Sequence, residues 1–256
     1  MRVAIVGVGG IGGWLGAHLA QTSDVVFVGR EGSPHTAAMQ SAGLRLIEPN
    51  GTIELPSATV AVPGTPAFDG MQPVDLAIIC VKTWQVEDVV AATLPLLRAD
   101  GCIMTTQNGV DAPVTAAAAV GADRVVASVC RVGAMVDSPG VVSKSAAFTG
   151  GSLELGELAG GGGSDRIDRL CAMFAESGIA ATSSADIQKA MWTKLSSISG
   201  FGAVGAVARA PVEVLCKVEP CRQLVAAAID EVLAVAQAEG VAVDLSFVRA
   251  DRCMKS

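Results

Sequence analysis

Four short stretches of this chain carry residue types that could do chemistry. Gly7-Val8-Gly9-Gly10-Ile11-Gly12 offers bare backbone of the kind that receives a pyrophosphate. Lys82-Thr83-Trp84-Gln85 and Gln107-Asn108-Gly109 are polar clusters that directly follow apolar runs. Met191-Trp192-Thr193-Lys194-Leu195 sets a lysine in the middle of an apolar helical pattern. A lysine there is costly to bury as a cation. It either snorkels to solvent or lines a pocket.

The glycine stretch is the most informative, because its context can be read. Arg2 to Val6 is a continuous apolar run suited to a doubly buried parallel strand. A helical pattern from Gly13 to Ala20 and a second apolar run, Asp24 to Val28, follow. Strand, glycine turn, helix and strand make the opening unit of a dinucleotide-binding sheet. Gly7 permits the tight turn, Gly9 lets the pyrophosphate approach backbone, and Gly12 lets helix and strand pack closely. The helix start supplies unpaired N–H groups and a positive dipole end. At the end of the second strand an acidic residue would bond a ribose 2′-OH, whereas an arginine suits a 2′-phosphate. Arg30 stands there and favours NADP, with Glu31 one residue later.

These clusters need elements to position them. Ligands of open parallel sheets bind outside the carboxyl ends of strands. The glycine turn, the Lys82 cluster and the Asn108 cluster all fall at such ends, after runs Arg2–Val6, Val74–Val81 and Cys102–Thr106. Between them the pattern predicts a short helix from His35 to Ala42, a hairpin around Asn50-Gly51, and a helix from Val86 to Leu97. Further strands are expected at 124–130, 132–136, 140–149 and 152–155, the later ones antiparallel, then a helix from Ile167 to Ala175 and a strand from Ile179 to Thr182. From Asp186 onward only helices are expected: to about Arg209, from Pro211 to about Gly240, and one from near Asp244. Alternating strands and helices followed by helices alone imply an α/β domain over 1–182 and an all-helical domain over 183–256.

Composition narrows the function classes. Hydrophobic residues make up 51% and charged residues 17% of 256, which describes a globular chain with an ample core. A net charge of −7 without a basic cluster argues against a nucleic-acid partner. The 7 cysteines are scattered and mostly inside apolar runs, as expected of reduced core residues rather than disulfides or metal ligands. His18 and His35 lack partners at ligand spacing, so no metal site is expected, and His18 reads as a packing or surface residue. No signal peptide or membrane span is indicated, which places the protein in the cytoplasm.

Taken together, the glycine turn, Val81-Lys82-Thr83-Trp84-Gln85-Val86, Gln107-Asn108-Gly109, Pro139-Gly140-Val141-Val142, Gly156-Glu157 and Met191-Trp192-Thr193-Lys194-Leu195 resemble the ketopantoate reductase family, the 2-dehydropantoate 2-reductases. The resemblance runs over essentially the whole chain in the family's order. It implies a Rossmann-type domain joined to a helical domain, and NADPH-dependent reduction of a 2-keto acid to a 2-hydroxy acid in pantothenate biosynthesis. It further implies cofactor contacts from Gly7, Val8, Gly9, Gly10, Ile11, Gly12, Lys82 and Asn108, beside the Arg30 read from the strand end. Lys194 would protonate the nascent alkoxide, with Asn108 orienting substrate or nicotinamide, and a homodimer would form through the helical domain. Such chemistry is sensible, since a preorganised ammonium both stabilises and protonates developing oxyanion charge. Where many relatives carry asparagines after the lysine, this chain has Ile198 and Gly202, and it stops at Ser256, before the region where the family supplies a serine and a glutamate. Two rival readings are a 3-hydroxyacid-type dehydrogenase and a non-catalytic NADP-binding protein.

Overall fold

The computed structural model describes residues 1–146 and 151–243. They fall into two compact units, one of residues 1–107 and 111–187, the other of 108–110 and the chain from 188 onward.

The first unit opens with strand β1 (Arg2–Val6), helix α1 (Gly10–Leu19) and strand β2 (Asp24–Val28). Helix α2 (Pro34–Ala42) starts at Ser33, whose hydroxyl accepts from the Thr36 N–H, and stops at Gly43. Asn50-Gly51 turns β3 (Leu44–Glu48) into β4 (Gly51–Leu55), antiparallel with Leu46 opposite Ile53. Next come a short strand β5 (Thr59–Ala61), a single turn α3 (Pro66–Asp69) and β6 (Val74–Ile79). Helix α4 (Val86–Thr93) ends before the expected Leu97. Pro95 tightens the chain into a 3₁₀ turn over Leu94–Leu96, and β7 (Leu97–Thr105) begins there. Helix α5 (Asp111–Val120), β8 (Val125–Arg131), β9 (Ala134–Ser138), β10 (Val141–Lys144), β11 (Ser152–Glu157), α6 (Asp165–Glu176) and β12 (Ala180–Ser183) complete the unit. No sequence expectation covers α5, α3 or β5.

Eight strands form the main sheet in the order β12-β11-β8-β7-β6-β1-β2-β5. Every neighbour pair from β8 to β5 is parallel, and β11 runs antiparallel to β8. The chain leaves β1 for β2 and β5, then returns to β6 on the other side of β1. That reversal opens a crevice at the carboxyl ends of β1 and β6. Helices cover both faces, so the central strands are apolar throughout: Val3, Ala4 and Ile5 are 0% exposed, as are Leu76 to Ile79. One core joins the sheet to α1 and α6; the other joins it to α4 and α5.

Strands 132–149 depart from expectation. β9 and β10 pair antiparallel, but β10 also pairs parallel with β3, giving a separate sheet β4-β3-β10-β9. Residues 147–149 of the expected strand lie outside the described residues. This second sheet lies over α1, with the Ala134 carbonyl against Gly10 and Val142 against Gly13. Buried between them, the Glu48 carboxylate accepts from Trp14 Nε1 at 3.2 Å and pairs with His18 and Lys144. His18 is therefore a member of a charge cluster rather than a simple packing residue.

The second unit carries the rest of helix α7 (Ile187–Ala208), which enters it at Gln188, then α8 (Val212–Lys217) and α9 (Glu219–Ala238). The single helix expected from Pro211 is broken at Val218, because Pro220 lacks the N–H needed inside a helix and instead occupies the first turn of α9. Val204, Leu215, Val225, Ile229 and Leu233 form its core. The helix expected near Asp244 lies outside the described residues. Cys216 is disulfide-bonded, against the expectation that every cysteine is reduced, since spacing alone carries no signal for pairing.

The packing of α1 on the sheet leaves no spare volume. A Cβ on Gly16 would stand 2.1 Å from Phe27 Cε1, and Phe27 is itself buried beneath the helix. Gly16→Val is expected to lower stability by about 3 kcal/mol or more in urea unfolding, at the upper end of overpacking penalties. An unchanged midpoint would show that α1 can lift from the sheet without loss.

Candidate functional site

A cavity of about 480 Å³ lies in the first unit at the carboxyl ends of β1, β2 and β6. Backbone bonds tie the ends of these strands together: Gly7 N–H donates to the Val28 carbonyl at 3.0 Å, and Cys80 N–H to the Val6 carbonyl at 2.7 Å. Gly7 has φ +94°, and a Cβ there would meet Val81 at 2.6 Å, so only glycine makes this turn. Gly9 is different. Its backbone is extended, and a Cβ would meet nothing within 4 Å, because the residue opens into the cavity. It is also the N-cap of α1, and no side chain caps the helix. The first-turn N–H groups therefore keep their capacity for an anion.

The cavity gathers Gly7, Val8, Gly9, Arg30 and Lys82 among its lining residues. Gly10, Ile11, Gly12, Asn108 and Lys194 are not among them. Gly10 and Gly12 serve packing: their Cβ atoms would fall 2.2 Å from the Ala134 carbonyl and 2.1 Å from the Gly7 carbonyl. Their missing side chains make room for protein backbone, while the N–H groups of Gly10, Ile11 and Gly12, the first residues of α1, stay available for the cofactor contacts expected of them.

At the β2 end of the cavity, Arg30 is exposed, and its guanidinium has no ion pair among the described residues. Its backbone N–H donates to Thr36 Oγ1 at 3.3 Å, so the start of α2 fixes the turn that carries it. Glu31, Ser33, Thr36, Val62 and Pro63 line the same end. Sequence reading missed Ser33 and Thr36, although Ser-Pro before a helical pattern is an N-cap signal. It missed Val62 and Pro63 because three-residue β5 leaves too short a pattern to detect.

The Lys82 turn is set by Gln107. Its Nε2 donates to the carbonyls of Ile79 and Val81, each at 2.9 Å, which holds open the end of β6. Gln85 Oε1 then accepts from the Lys82 N–H at 3.3 Å, starting the turn into α4. Trp84 is 79% exposed. Cys80 lines the cavity, but burial pushes its thiol up to about 12, so it stays protonated and is no nucleophile.

Asn108 and Lys194 belong to the second unit, where the segment Asn108–Val110 clusters with the helices. Asn108 is exposed, beside Gly109 at φ +98°. Lys194 is half-buried on α7, near Met191 and Trp192, which are 3% and 8% exposed. Ile198 and Gly202, at i+4 and i+8, share its helix face. Ile198 is 38% exposed, and a Cβ on Gly202 would meet nothing within 4 Å. No group of three potential metal ligands occurs among the described residues.

Comparisons with known proteins agree with this fold. The family model "Ketopantoate reductase PanE/ApbA" matches residues 3–160, and the model of that family's C-terminal part matches residues 186–253. A 2-dehydropantoate 2-reductase of Halobacterium salinarum is 31% identical over 254 residues, spanning 98% of this chain and 80% of that protein. The crystal structure of a 2-dehydropantoate 2-reductase from Geobacter metallireducens superposes with a TM-score of 0.86 at 29% identity, covering 97% of this chain and 80% of that one. D-mandelate dehydrogenase with NADH and anilino(oxo)acetate shares the fold, with a TM-score of 0.87 at 22% identity over 99% of this chain and 78% of its own. Among the described residues no helix is long and apolar enough to cross a membrane. A Rossmann-like unit with a capless glycine turn, a helical unit carrying the lysine, and matches over both parts lead to one conclusion: the chain belongs to the ketopantoate reductase PanE/ApbA family.

Proposed function

We propose that this oxidoreductase of the 2-dehydropantoate 2-reductase type uses NADPH to reduce 2-dehydropantoate, or a related 2-keto acid, to the 2-hydroxy acid. The observation that carries the reading is the Gly9 cradle, open to the cavity at a bare helix N-terminus. The residues present fit a dinucleotide. The turn from Gly7 through Val8, Gly9, Gly10 and Ile11 to Gly12 would receive the pyrophosphate, Arg30 the 2′-phosphate, and Val62 and Pro63 an apolar face of the adenine. Bound there, NADPH supplies the hydride. Lys82, at the β6 end of the same cavity, adds positive charge for the phosphates or the substrate carboxylate. Lys194 is assigned the proton donor's part, and Asn108 that of orienting substrate or nicotinamide.

Domain assignment follows the same reading: 1–182 binds the cofactor, while 183–256 supplies substrate contacts and a homodimer interface. A cytoplasmic setting in pantothenate biosynthesis goes with it. Ile198 favours a second reading of the substrate, because an apolar side chain one turn from Lys194 suits a 2-keto acid less polar than 2-dehydropantoate. A panel of 2-keto acids assayed with NADPH separates the two. Absence of NADPH oxidation with every member would leave only a dinucleotide-binding protein.

Substitutions at three positions test the assignments. Gly9→Val is expected to fold with an unchanged melting temperature yet lose cofactor binding, since the side chain would fill the cradle and nothing else. Arg30→Ala should weaken NADPH binding by about 10–100-fold, from a charge-assisted contact of about 1.5–3 kcal/mol, while NADH binding stays level. Equal losses for both cofactors would remove the 2′-phosphate role. Lys194→Ala should lower kcat by roughly 10²–10⁴-fold with NADPH affinity retained, and Lys194→Arg should rescue little because a guanidinium holds its proton. A kcat within twofold of wild type, at most about 0.4 kcal/mol by transition-state arithmetic, would make Lys194 a bystander.

A further inference from the structure

Behind the pyrophosphate turn, α1 carries charges that the reaction does not use. The side chains of His18, Glu48 and Lys144 are 12%, 8% and 11% exposed. His18 Nδ1 faces the Ser177 carbonyl oxygen at 2.9 Å, and Nε2 faces Glu48 Oε2 at 3.1 Å. A carbonyl and a carboxylate only accept, so an imidazolium, with two N–H donors, satisfies both, whereas a neutral ring satisfies one. Burial alone would push the Glu48 carboxyl up, but His18 and Lys144 together hold it below its ordinary value, so it is ionised. Lys144 Nζ lies 3.3 Å from its other oxygen.

This cluster is joined to the pyrophosphate turn through the second sheet. Lys144 on β10 is the cross-strand partner of Ala134 on β9. The Ala134 carbonyl is the group that abuts Gly10, the neighbour of Gly9. Val142, two residues before Lys144, abuts Gly13 in the same way. The strand pair is thus fastened at Lys144 by the charges and rests at Ala134 on the first residue of α1.

We infer that His18, Glu48 and Lys144 form a proton-dependent clamp that sets the pyrophosphate turn, so that dinucleotide affinity falls when His18 gives up its proton. The inference rests on reading the cavity as a dinucleotide site. A neutral His18 has one N–H, so either the Ser177 carbonyl or the Glu48 carboxylate loses its donor inside the protein. An uncompensated buried charge or acceptor is the kind of defect that loosens packing. Other ionisable groups at this sheet act differently. Asp137 accepts from the Ser143 hydroxyl at 2.7 Å. His35 Nδ1 accepts from the Gly140 N–H at 3.0 Å, and burial lowers its pKa, so its protonation would weaken the β9–β10 turn on the acid side. The effects of the two histidines therefore have opposite sign. No histidine lines the cavity. Because coupling is reciprocal, a bound dinucleotide should also hold the proton on His18.

The test is a fluorescence titration with NADH and NADPH from about pH 6 to pH 9, a span that includes the range where imidazoles titrate. NADH is the deciding probe, because it lacks the 2′-phosphate and its titration. Wild-type affinity for both should fall about five- to tenfold as pH rises, a usual size for coupled sites. His35→Gln should keep that alkaline slope. His18→Gln and Lys144→Met should bind NADH more weakly at the acid end, with the slope flattened in His18→Gln. If His18→Gln does not fold, the wild-type His18 ring signal in NMR replaces it: NADH should raise the pH at which that signal titrates. An NADH affinity independent of pH in the wild type, an unchanged slope in His18→Gln, or a ring signal indifferent to NADH overturns the clamp. A lower melting temperature with unaltered affinities does so as well, leaving the cluster a purely structural role. A wild type that binds neither cofactor at any pH overturns the dinucleotide reading itself, and the clamp with it.

Discussion

Helix α1 has to satisfy two demands at once, and much of the first unit follows from them. Its N-terminus stays bare, with no side-chain cap on the first-turn N–H groups, which under the proposed function receive an anion. Its flanks must be sealed, since a ten-residue helix is not stable on its own and draws its stability from packing. The solution is a helix rich in glycine, wedged between two sheets. Gly16 admits the Phe27 ring from the main sheet, while Gly10 and Gly13 admit Ala134 and Val142 from the second. Glycine weakens a helix interior by up to about 1 kcal/mol per residue. Here that weakness is offset by backbone contact on both sides, with Trp14, Leu15 and Leu19 buried in the remaining space.

The chain's overall charge gives no hint of an anionic ligand. A net charge of −7 would repel a dinucleotide at long range. The cavity reverses this locally, with Arg30, Lys82 and the positive end of α1 around one space. Screening at physiological salt confines distant charges to within about 8 Å, so the near groups decide. Gln107 contributes without touching that space in any charged sense. By pairing with the Ile79 and Val81 carbonyls it satisfies the strand end and frees Lys82 to face the cavity.

Much of this was legible in the sequence because its causes are local. The run from Arg2 to Arg30 holds a strand, a turn, a helix and a strand in one window, and each is set by apolar period and glycine placement. Asn50-Gly51 announced its hairpin for the same reason, and Pro95 and Pro220 explain where expected helices were cut short. Helix α5 stayed hidden, since an alanine-rich stretch has no sharp apolar stripe, and three-residue β5 was too short to register.

Tertiary structure alone decided the rest, and in each case the reason is distance along the chain. β10 pairs with β3 almost a hundred residues earlier, and no local pattern encodes a partner so far away. That pairing brings Lys144 and Glu48 together over α1 and turns His18 from an ordinary helix residue into one with two acceptors. It also decides what lies beside one glycine of the turn. Sequence reading already separated Gly7, Gly9 and Gly12 by task, but only the folded chain shows that the space beside Gly10 is taken by the Ala134 carbonyl of β9. Residue type and spacing fix which backbone can come close to something. What it comes close to depends on contacts that form only when distant segments meet.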